Sequence, residues 1–472
     1  MTPMNRRRFL GAGLATAAAM AAPGAAQDKP AGANDRVRIA TVGVRGQGGA
    51  HVRLWSAMKD VDVAAICDID ESVIAESMKR SEEKSGKKPK YYQDYRRLLE
   101  DKSIDAISIA TTNQTHTLIA LSALQAGKDV YVEKPLSHTI WEGRKLAEAV
   151  QKYGRVLQHG TQSRSDGRRR QATEFLAAGK LGPVRVSRGL CYKLRPTIGK
   201  KPDGPVPAGV DYNLWLGPAP ERPFNPNRFH YNWHWNWDYG NGDIGNQGIH
   251  EMDVARWMLG KKGLPRKVVS IGGRFGYEDD GLTPNTQIAL FDYGDSLLIF
   301  EVRGLPTPKY KEVLIGNVVH ARDGIVTTPN GVEAFGADGQ SVKKFTWDGS
   351  KDHFRNFIDV VKSRNSADLS ANVLEGHLSC VLVHLANISY RLGDQRPLSK
   401  DEPFGSYSEG NETFLRMRDH LRENDVPIDT TMLRVGRTLE FDPDKEVFVR
   451  DAEANQMLRR EYRKPFVVPE SV

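Results

Sequence analysis

The sequence predicts an α/β chain in two parts: a doubly wound parallel sheet first, then an α+β unit on a mostly antiparallel sheet. Three observations predict it. A β-branched run, Val37 to Val42, ends in a glycine-rich turn, and a helix-compatible segment with Val52, Leu54, Trp55 and Met58 follows. From there to about Gly160 short apolar runs alternate with helical stretches, the pattern of parallel strands joined by crossover helices. From about Val184 longer runs follow one another without helices between them, the pattern of antiparallel pairing.

The chain opens with Asn5-Arg6-Arg7-Arg8-Phe9-Leu10, an Ala-rich apolar run from Gly11 to Ala22, and Pro23-Gly24-Ala25-Ala26. A basic segment, a moderately apolar one and small residues before a cut make an export signal, and the paired arginines before Phe-Leu match the twin-arginine type. The apolar run is shorter than the roughly 20 residues a spanning helix needs. Cleavage near Ala26 is therefore expected, with residues 1–26 as signal peptide and 27–36 as a flexible polar leader. The mature chain is expected in the periplasm, without a stable hold on the membrane. Its 472 residues, 39% hydrophobic and 27% charged, suffice for two domains with separate cores. The formal charge of +8 falls to +5 once Arg6, Arg7 and Arg8 are removed, an excess too small and too dispersed to argue for nucleic acid. Cys67, Cys191 and Cys380 lie far apart without metal-ligand spacing, so they are expected to be buried thiols and no metal site is expected.

The stretch Val37 to His51 orders strand, turn and helix. A dinucleotide pyrophosphate needs such a turn, whose backbone comes close to the phosphates while the N–H groups of a helix N-terminus point at them. Gly43 and Gly48 fit the first and third glycines of GxGxxG; Arg45 holds the middle place and Gly46 follows it. The next apolar run, Val61 to Cys67, ends in Asp68, 25 residues beyond Gly43. A carboxylate there meets an adenosine ribose hydroxyl and repels a 2′-phosphate, which favours NAD over NADP. Free NAD is scarce outside the cytoplasm, so an exported protein is expected to hold its cofactor through turnover.

A helical stretch to about Lys84 follows, then Tyr92 to Leu99, the strand run Ile104 to Ala110, a helix from about Thr115 to Ala126, the run Asp129 to Val132, a helix from Thr139 to Tyr153, and Val156-Leu157. Residues 37–160 make one dinucleotide-binding domain of the Rossmann type. Ligands sit at the C-terminal ends of such strands. Thr111, Asn113 and His116 after the third run are expected to line the cofactor, with Glu133 and Lys134 after the next, while His159 after the last is expected to touch ligand.

Residues 161–393 form the second unit, with strand runs at Val184 to Leu194, Val268 to Phe275, Gln287 to Phe291 and Ser296 to Arg303. Between the first two lies HYNWHWNWDYGNGDIGNQGIHEMDVARWMLG, His230 to Gly260. On an extended segment Trp233, Trp235 and Trp237 would share a face, suited to the C–H faces of a sugar or to packing a core or subunit contact. His250 and Asp253 are three apart on one side of a helix that follows Gly240, Gly242, Gly245 and Gly248, glycines that suggest a close backbone approach. Helices are expected at Lys351 to Lys362 and Ala371 to Leu392. Beyond Gly393 a polar extension, 394–472, is broken by Pro397, Pro403, Pro427 and Pro443, with a helix expected at Ala452 to Tyr462.

Glu133-Lys134-Pro135 at a strand end and Gly245-Asn246-Gln247-Gly248-Ile249-His250 opening a helix, joined to the N-terminal turn, resemble the glucose-fructose oxidoreductase, inositol dehydrogenase and MocA (Gfo/Idh/MocA) family, over roughly Val37 to Gly393. The resemblance implies a nicotinamide domain joined to an α/β domain with a large open sheet that commonly forms the subunit contact, hence a homo-oligomer. It implies that Lys134 stands near the reacting hydroxyl and that His250 accepts its proton, while Asn246 occupies the place of the family's aspartate. The expected chemistry is oxidation of a sugar, polyol or glycoside hydroxyl by hydride transfer to nicotinamide, with His250 as base and Lys134 stabilising alkoxide character. An amide at Asn246 orients a hydroxyl but takes no proton, and Asp243 or Asp253 is left as a possible replacement. His159, Arg164, Trp233, Trp235 and Asp253 are further candidates for holding substrate. Two alternatives stand beside this: an NAD-dependent glycosidase passing through a transient keto sugar without net redox change, and a sugar-binding protein without turnover.

Overall fold

The structure of the protein, a computed structural model, describes residues 36–328, 331–399 and 402–472. The expected signal peptide, and the leader up to residue 35, lie outside the described residues.

Six strands build the first sheet: β1 (Val37–Val42), β2 (Val61–Cys67), β3 (Lys90–Tyr92), β4 (Ala106–Ile109), β5 (Asp129–Val132) and β6 (Leu157–His159), in the order β3-β2-β1-β4-β5-β6. Every pairing is parallel. β4 and β5 are buried throughout, as strands covered on both faces must be. Side chains alternate between two cores: Ala40 and Val42 join the helices Asn113–Gln125 and Ile140–Tyr153, while Val37 and Ile39 join the helix Gln47–Ser56. The strand order reverses between β1 and β4, so a ligand crevice opens at their C-terminal ends.

The second of these cores is completed from far along the chain. Phe354, Phe357 and Ile358 of the helix His353–Ser363 pack with Trp55 and Tyr131, and the Tyr131 and Phe354 rings stack at 4.8 Å. Sequence position assigns this helix to the second unit; its apolar face belongs to the first sheet.

The second sheet contains β7 (Val184–Cys191), β8 (Lys267–Gly273), β9 (Thr286–Asp292), β10 (Leu297–Arg303), β11 (Ile315–Ala321), β12 (Gly324–Thr328), β13 (Val332–Gly336), β14 (Ser341–Phe345), β15 (Asp394–Pro397) and β16 (Met432–Val435). They lie in the order β14-β13-β12-β11-β7-β10-β9-β8-β16-β15. β7 and β10 run parallel; the other pairs along this path are antiparallel. On one face the helices Gly248–Met258 and Val373–Arg391 pack against Phe291, Leu298 and Phe300, and this core continues into the helices of the first sheet. A Cβ on Gly248 would stand 2.8 Å from the Phe300 ring, so glycine there sets how closely the helix approaches the strand.

The opposite face is covered by the extension. Phe414, Met417 and Leu421 of the helix Ser408–Glu423, with Leu398 and Phe404, lie over Val269, Ile271, Ile288, Leu290 and Ile299. The polar tail of the sequence thus supplies the edge strand β15, its neighbour β16 and a cover. β15 reads DQRP and β16 MLRV, four residues each, too short to display a period of two. The helix expected at Ala452 to Tyr462 spans Ala452–Gln456. The three cysteines are free and buried, and among the described residues no helix is long and apolar enough to cross a membrane.

Candidate functional site

A cavity of about 600 Å³ opens where the first sheet reverses and runs towards the helix Gly248–Met258. Its floor is the turn after β1. Gly43 (φ 80°) and Gly46 (φ 65°) are left-handed, and Gly43 N–H donates to Cys67 O at 2.8 Å. A Cβ on Gly48 would fall 1.6 Å from Gly43 O, so the helix starts close under the turn only with glycine there. No side chain caps the helix Gln47–Ser56 and its first turn holds no acid. Its free N–H groups and the open flank of Gly46 form a cradle that fits a pyrophosphate. Arg45 is exposed at the rim.

Asp68 lines the cavity at the end of β2, 9% exposed. It accepts Val44 N–H at 2.7 Å and Asp70 N–H at 3.1 Å, and burial pushes its carboxyl up to about 6. Asp70 is buried beside it, accepting from Ser72 N–H and hydroxyl, with His230 Nε2 at 3.5 Å. From the end of β4, Thr111, Asn113 and His116 line the next stretch. His116 ties two strand ends together, its Nδ1 2.8 Å from Pro135 O and its Nε2 3.1 Å from Thr111 O, while burial lowers its pKa.

At the end of β5 stand Glu133 and Lys134, joined to Pro135 by a cis peptide bond. Glu133 is buried and fully engaged: Oε1 takes Gln47 Nε2 at 3.2 Å, His51 Nε2 at 3.1 Å and Gln162 Nε2 at 3.4 Å, and Oε2 takes Lys134 N–H at 3.2 Å. Burial alone would raise this carboxyl; the His51 hydrogen bond and the charges of His51, Lys134 and His250 hold it well below the usual carboxylate range. His51 in turn meets Ser108 Oγ at 2.7 Å through Nδ1. Sequence reasoning assigned no role to Gln47, His51 or Ser108. The available signal was spacing: Gln47 and His51 are four apart on one helix face, in the turn that the glycines mark.

Lys134 Nζ crosses to the second half of the molecule and donates to Asn246 O at 3.0 Å and Oδ1 at 3.4 Å. Asn246 and Gln247 precede the helix Gly248–Met258, and His250 lies in its first turn, lining the same cavity. Burial, then the Lys134 charge, lowers His250 to about 4, so its ring is neutral at pH 7. Trp233 also reaches the cavity and stacks on His234 at 3.6 Å.

The other candidates lie behind the cavity wall. Asp253 receives both arms of Arg164, at 2.8 and 2.9 Å, and the Ser379 hydroxyl at 2.6 Å. Arg164 also meets Glu375 at 3.0 Å and stacks over Trp257. Burial opposes the Asp253 charge, but Arg164 outweighs it and keeps the carboxyl below its ordinary range. Asp243 is bound by Arg195 at 2.7 and 2.8 Å. Neither aspartate is among the residues lining the cavity, and each is paired with an arginine. His159 is buried against Gly376, and burial lowers it to about 3. Trp235 packs under Arg195 at 5.2 Å. The three tryptophans do not share a face, because Asn232–Trp235 is a 3-10 turn rather than a strand. Asn236 explains the departure: its side chain accepts Asp238 N–H at 3.0 Å, a local bond that competes with extended pairing.

Comparison with known proteins agrees with this division. Residues 37–161 match a model described as an oxidoreductase family, NAD-binding Rossmann fold, and 184–301 match the C-terminal alpha/beta domain of the same oxidoreductase family. An inositol 2-dehydrogenase of Salmonella typhimurium is 32% identical over 158 residues, 33% of this chain and 46% of that protein. A glycosyl hydrolase family 109 protein from a Shewanella species is 33% identical over 176 residues, 32% of this chain and 39% of that protein. The chain thus spans less than half the length of these two curated relatives. The solved WlbA dehydrogenase from Bordetella pertussis, in complex with NADH and UDP-GlcNAcA, matches 75% of this chain and 97% of its own at a TM-score of 0.55 and 17% identity, a likeness of fold.

Proposed function

The chain belongs to the Gfo/Idh/MocA oxidoreductase family, and from that premise we propose that it is an NAD-dependent enzyme oxidising a hydroxyl of a sugar, polyol or glycoside with a retained cofactor. The observation that carries this reading is the presence of Lys134, Asn246 and His250 in the same cavity as the glycine turn and Asp68, with Lys134 hydrogen-bonded to Asn246. The turn from Gly43 to Gly48 would hold the pyrophosphate, Asp68 the adenosine ribose, and Thr111, Asn113 and His116 the wall beside the nicotinamide. NAD, when bound, supplies the hydride acceptor.

The chain's own residues do the rest. The neutral His250 ring takes the hydroxyl proton, the Lys134 ammonium stabilises the alkoxide as that proton leaves, and Asn246 holds Lys134 through its carbonyl oxygens. Glu133, pinned by His51 and Gln47, fixes the backbone from which Lys134 projects. The Asp68 carboxylate favours NAD over NADP. Export by the twin-arginine route, suggested by Arg6, Arg7 and the apolar run after them, and assembly as a homo-oligomer complete the proposal.

The test is the nicotinamide content of natively exported, purified protein, released by denaturation and resolved into NAD, NADH and NADP. About one NAD per chain, reduced when the right sugar is added, is expected; absence of bound and of bindable nucleotide would leave a sugar-binding protein. The glycosyl hydrolase family 109 relative favours a second reading, a redox-neutral glycosidase. It predicts glycoside cleavage with no NADH accumulating.

A further inference from the structure

Asn246 and Gln247 stand side by side in the lining of the cavity, and each accepts from a lysine. Lys134 Nζ reaches Asn246 from the end of β5, and Lys193 Nζ, just beyond β7, donates to Gln247 Oε1 at 3.0 Å. Gln247 is held for this task from behind, its Nε2 donating to Glu251 Oε1 at 3.2 Å. Both lysines line the cavity and are only partly exposed. Neither takes part in any of the ion pairs found among the described residues.

The carboxylates near them are unavailable. Glu133 is saturated by His51, Gln47, Gln162 and the Lys134 N–H. Asp243 is consumed by Arg195. Glu251 is buried and pushed up to about 8 by that burial, so it is uncharged at neutral pH. Asp68 and Asp70 belong to the ribose end. The position where the resemblance places an aspartate carries the amide of Asn246. Both lysines therefore line one cavity, and Lys193 meets there only the neutral amide of Gln247 among the hydrogen bonds and ion pairs of the described residues, so an anionic ligand would supply the charge partner it lacks.

We propose that the substrate carries an anionic group, a sugar-acid carboxylate or a sugar phosphate, which Lys193 binds while Lys134 and His250 address the hydroxyl to be oxidised. The proposal rests on the reading of this cavity as a sugar oxidoreductase site and names its substrate class. Gln247 and Glu251 position Lys193.

The test uses full-length mature protein loaded with NAD and isothermal titration with matched probes: D-glucose, D-glucuronate and D-glucose 6-phosphate, and the same three forms of D-galactose. In at least one series the acid is expected to bind on the order of tenfold or more tighter than the neutral sugar, with the preference weakened by salt. The carboxylate and phosphate arms tell the two sources apart. Lys193→Gln is expected to bring the ratio of acid to neutral affinity to about one, while Lys193→Arg, which keeps the charge, restores most of it. Equal binding of neutral and acidic probes, binding of none of the acids, or an acid preference untouched by Lys193→Gln would overturn the proposal. Turnover of a neutral sugar with NAD bound defeats the anionic subsite alone; absence of bindable NAD defeats the oxidoreductase reading itself.

Discussion

At His250 burial and the Lys134 charge keep the ring neutral down to about pH 4. A base of that kind stays active through the neutral range, so kcat/KM is expected to fall only on an acid limb near pH 4, well below the 6.5 of an ordinary histidine. His250→Ala should lower turnover by about 10²–10⁴-fold with NAD content unchanged, which stopped-flow kinetics and nucleotide analysis read separately. At the next residue of the same helix, Glu251 has the opposite imbalance: burial holds its proton to about pH 8, against an ordinary 4.5. The unfolded chain loses that proton first. The stability contributed by the buried neutral acid is therefore complete below pH 4.5 and drains away as pH rises towards 8, at up to about 1.4 kcal/mol per pH unit. Glu251→Gln should flatten this slope, and the difference in melting temperature between wild type and variant should grow from pH 5 to pH 8.

The helix Gly248–Met258 owes its place to charges on its far side. Arg164, Asp253, Glu375 and Arg256 join it to the helix Val373–Arg391 and to the turn Gln162–Ser165. Removing one partner strands the other in a dry interior. Arg164→Met is expected to cost about 3–5 kcal/mol, measured by urea unfolding, as the Asp253 charge loses its partner. Sequence spacing put His250 and Asp253 on one side of a helix; the position of Arg164, 89 residues before Asp253, decided that the acid faces the core. The glycine turn was legible because its requirement is local: positive φ at Gly43 and the contact between Gly48 and Gly43 O involve only neighbours in the chain. The tryptophan segment was not, because its alternation agrees with a strand while the Asn236 side chain satisfies the Asp238 backbone N–H in a turn.

Over the whole molecule the cavity is closed by segments remote in sequence. The segment after Gly199 crosses to the ribose end, where Glu71 N–H donates to Gly209 O at 3.1 Å and Asp211 N–H to Ile69 O at 2.8 Å. The C-terminal tail returns as well. Arg463 binds Asn213 O at 2.7 Å and Gly217 O at 3.1 Å, which brings Phe466, 3% exposed, into the cavity wall with Tyr95, Leu118 and Trp215. Phe466→Ala should open that wall and speed NAD release on the order of tenfold, followed by rapid dilution and assay of the freed nucleotide. The tail also covers the outer face of β7 to β10.

The sequence by itself determined the two sheets, the glycine turn, Asp68 at the end of β2 and the pair Glu133-Lys134. These follow from backbone period, turn chemistry and the rule that strand ends face the ligand, all of which act over a few residues. Only the tertiary structure decided which polar side chains share a cavity. Lys134 and Asn246 are 112 residues apart, Arg164 and Asp253 look alike as candidates until their burial together is seen, and Lys193 and Phe466 gave no local sign. Spacing along a helix or strand fixes which residues point the same way. What they point at is set by how sheets, helices and tail pack, and that depends on apolar contacts between segments far apart in the chain.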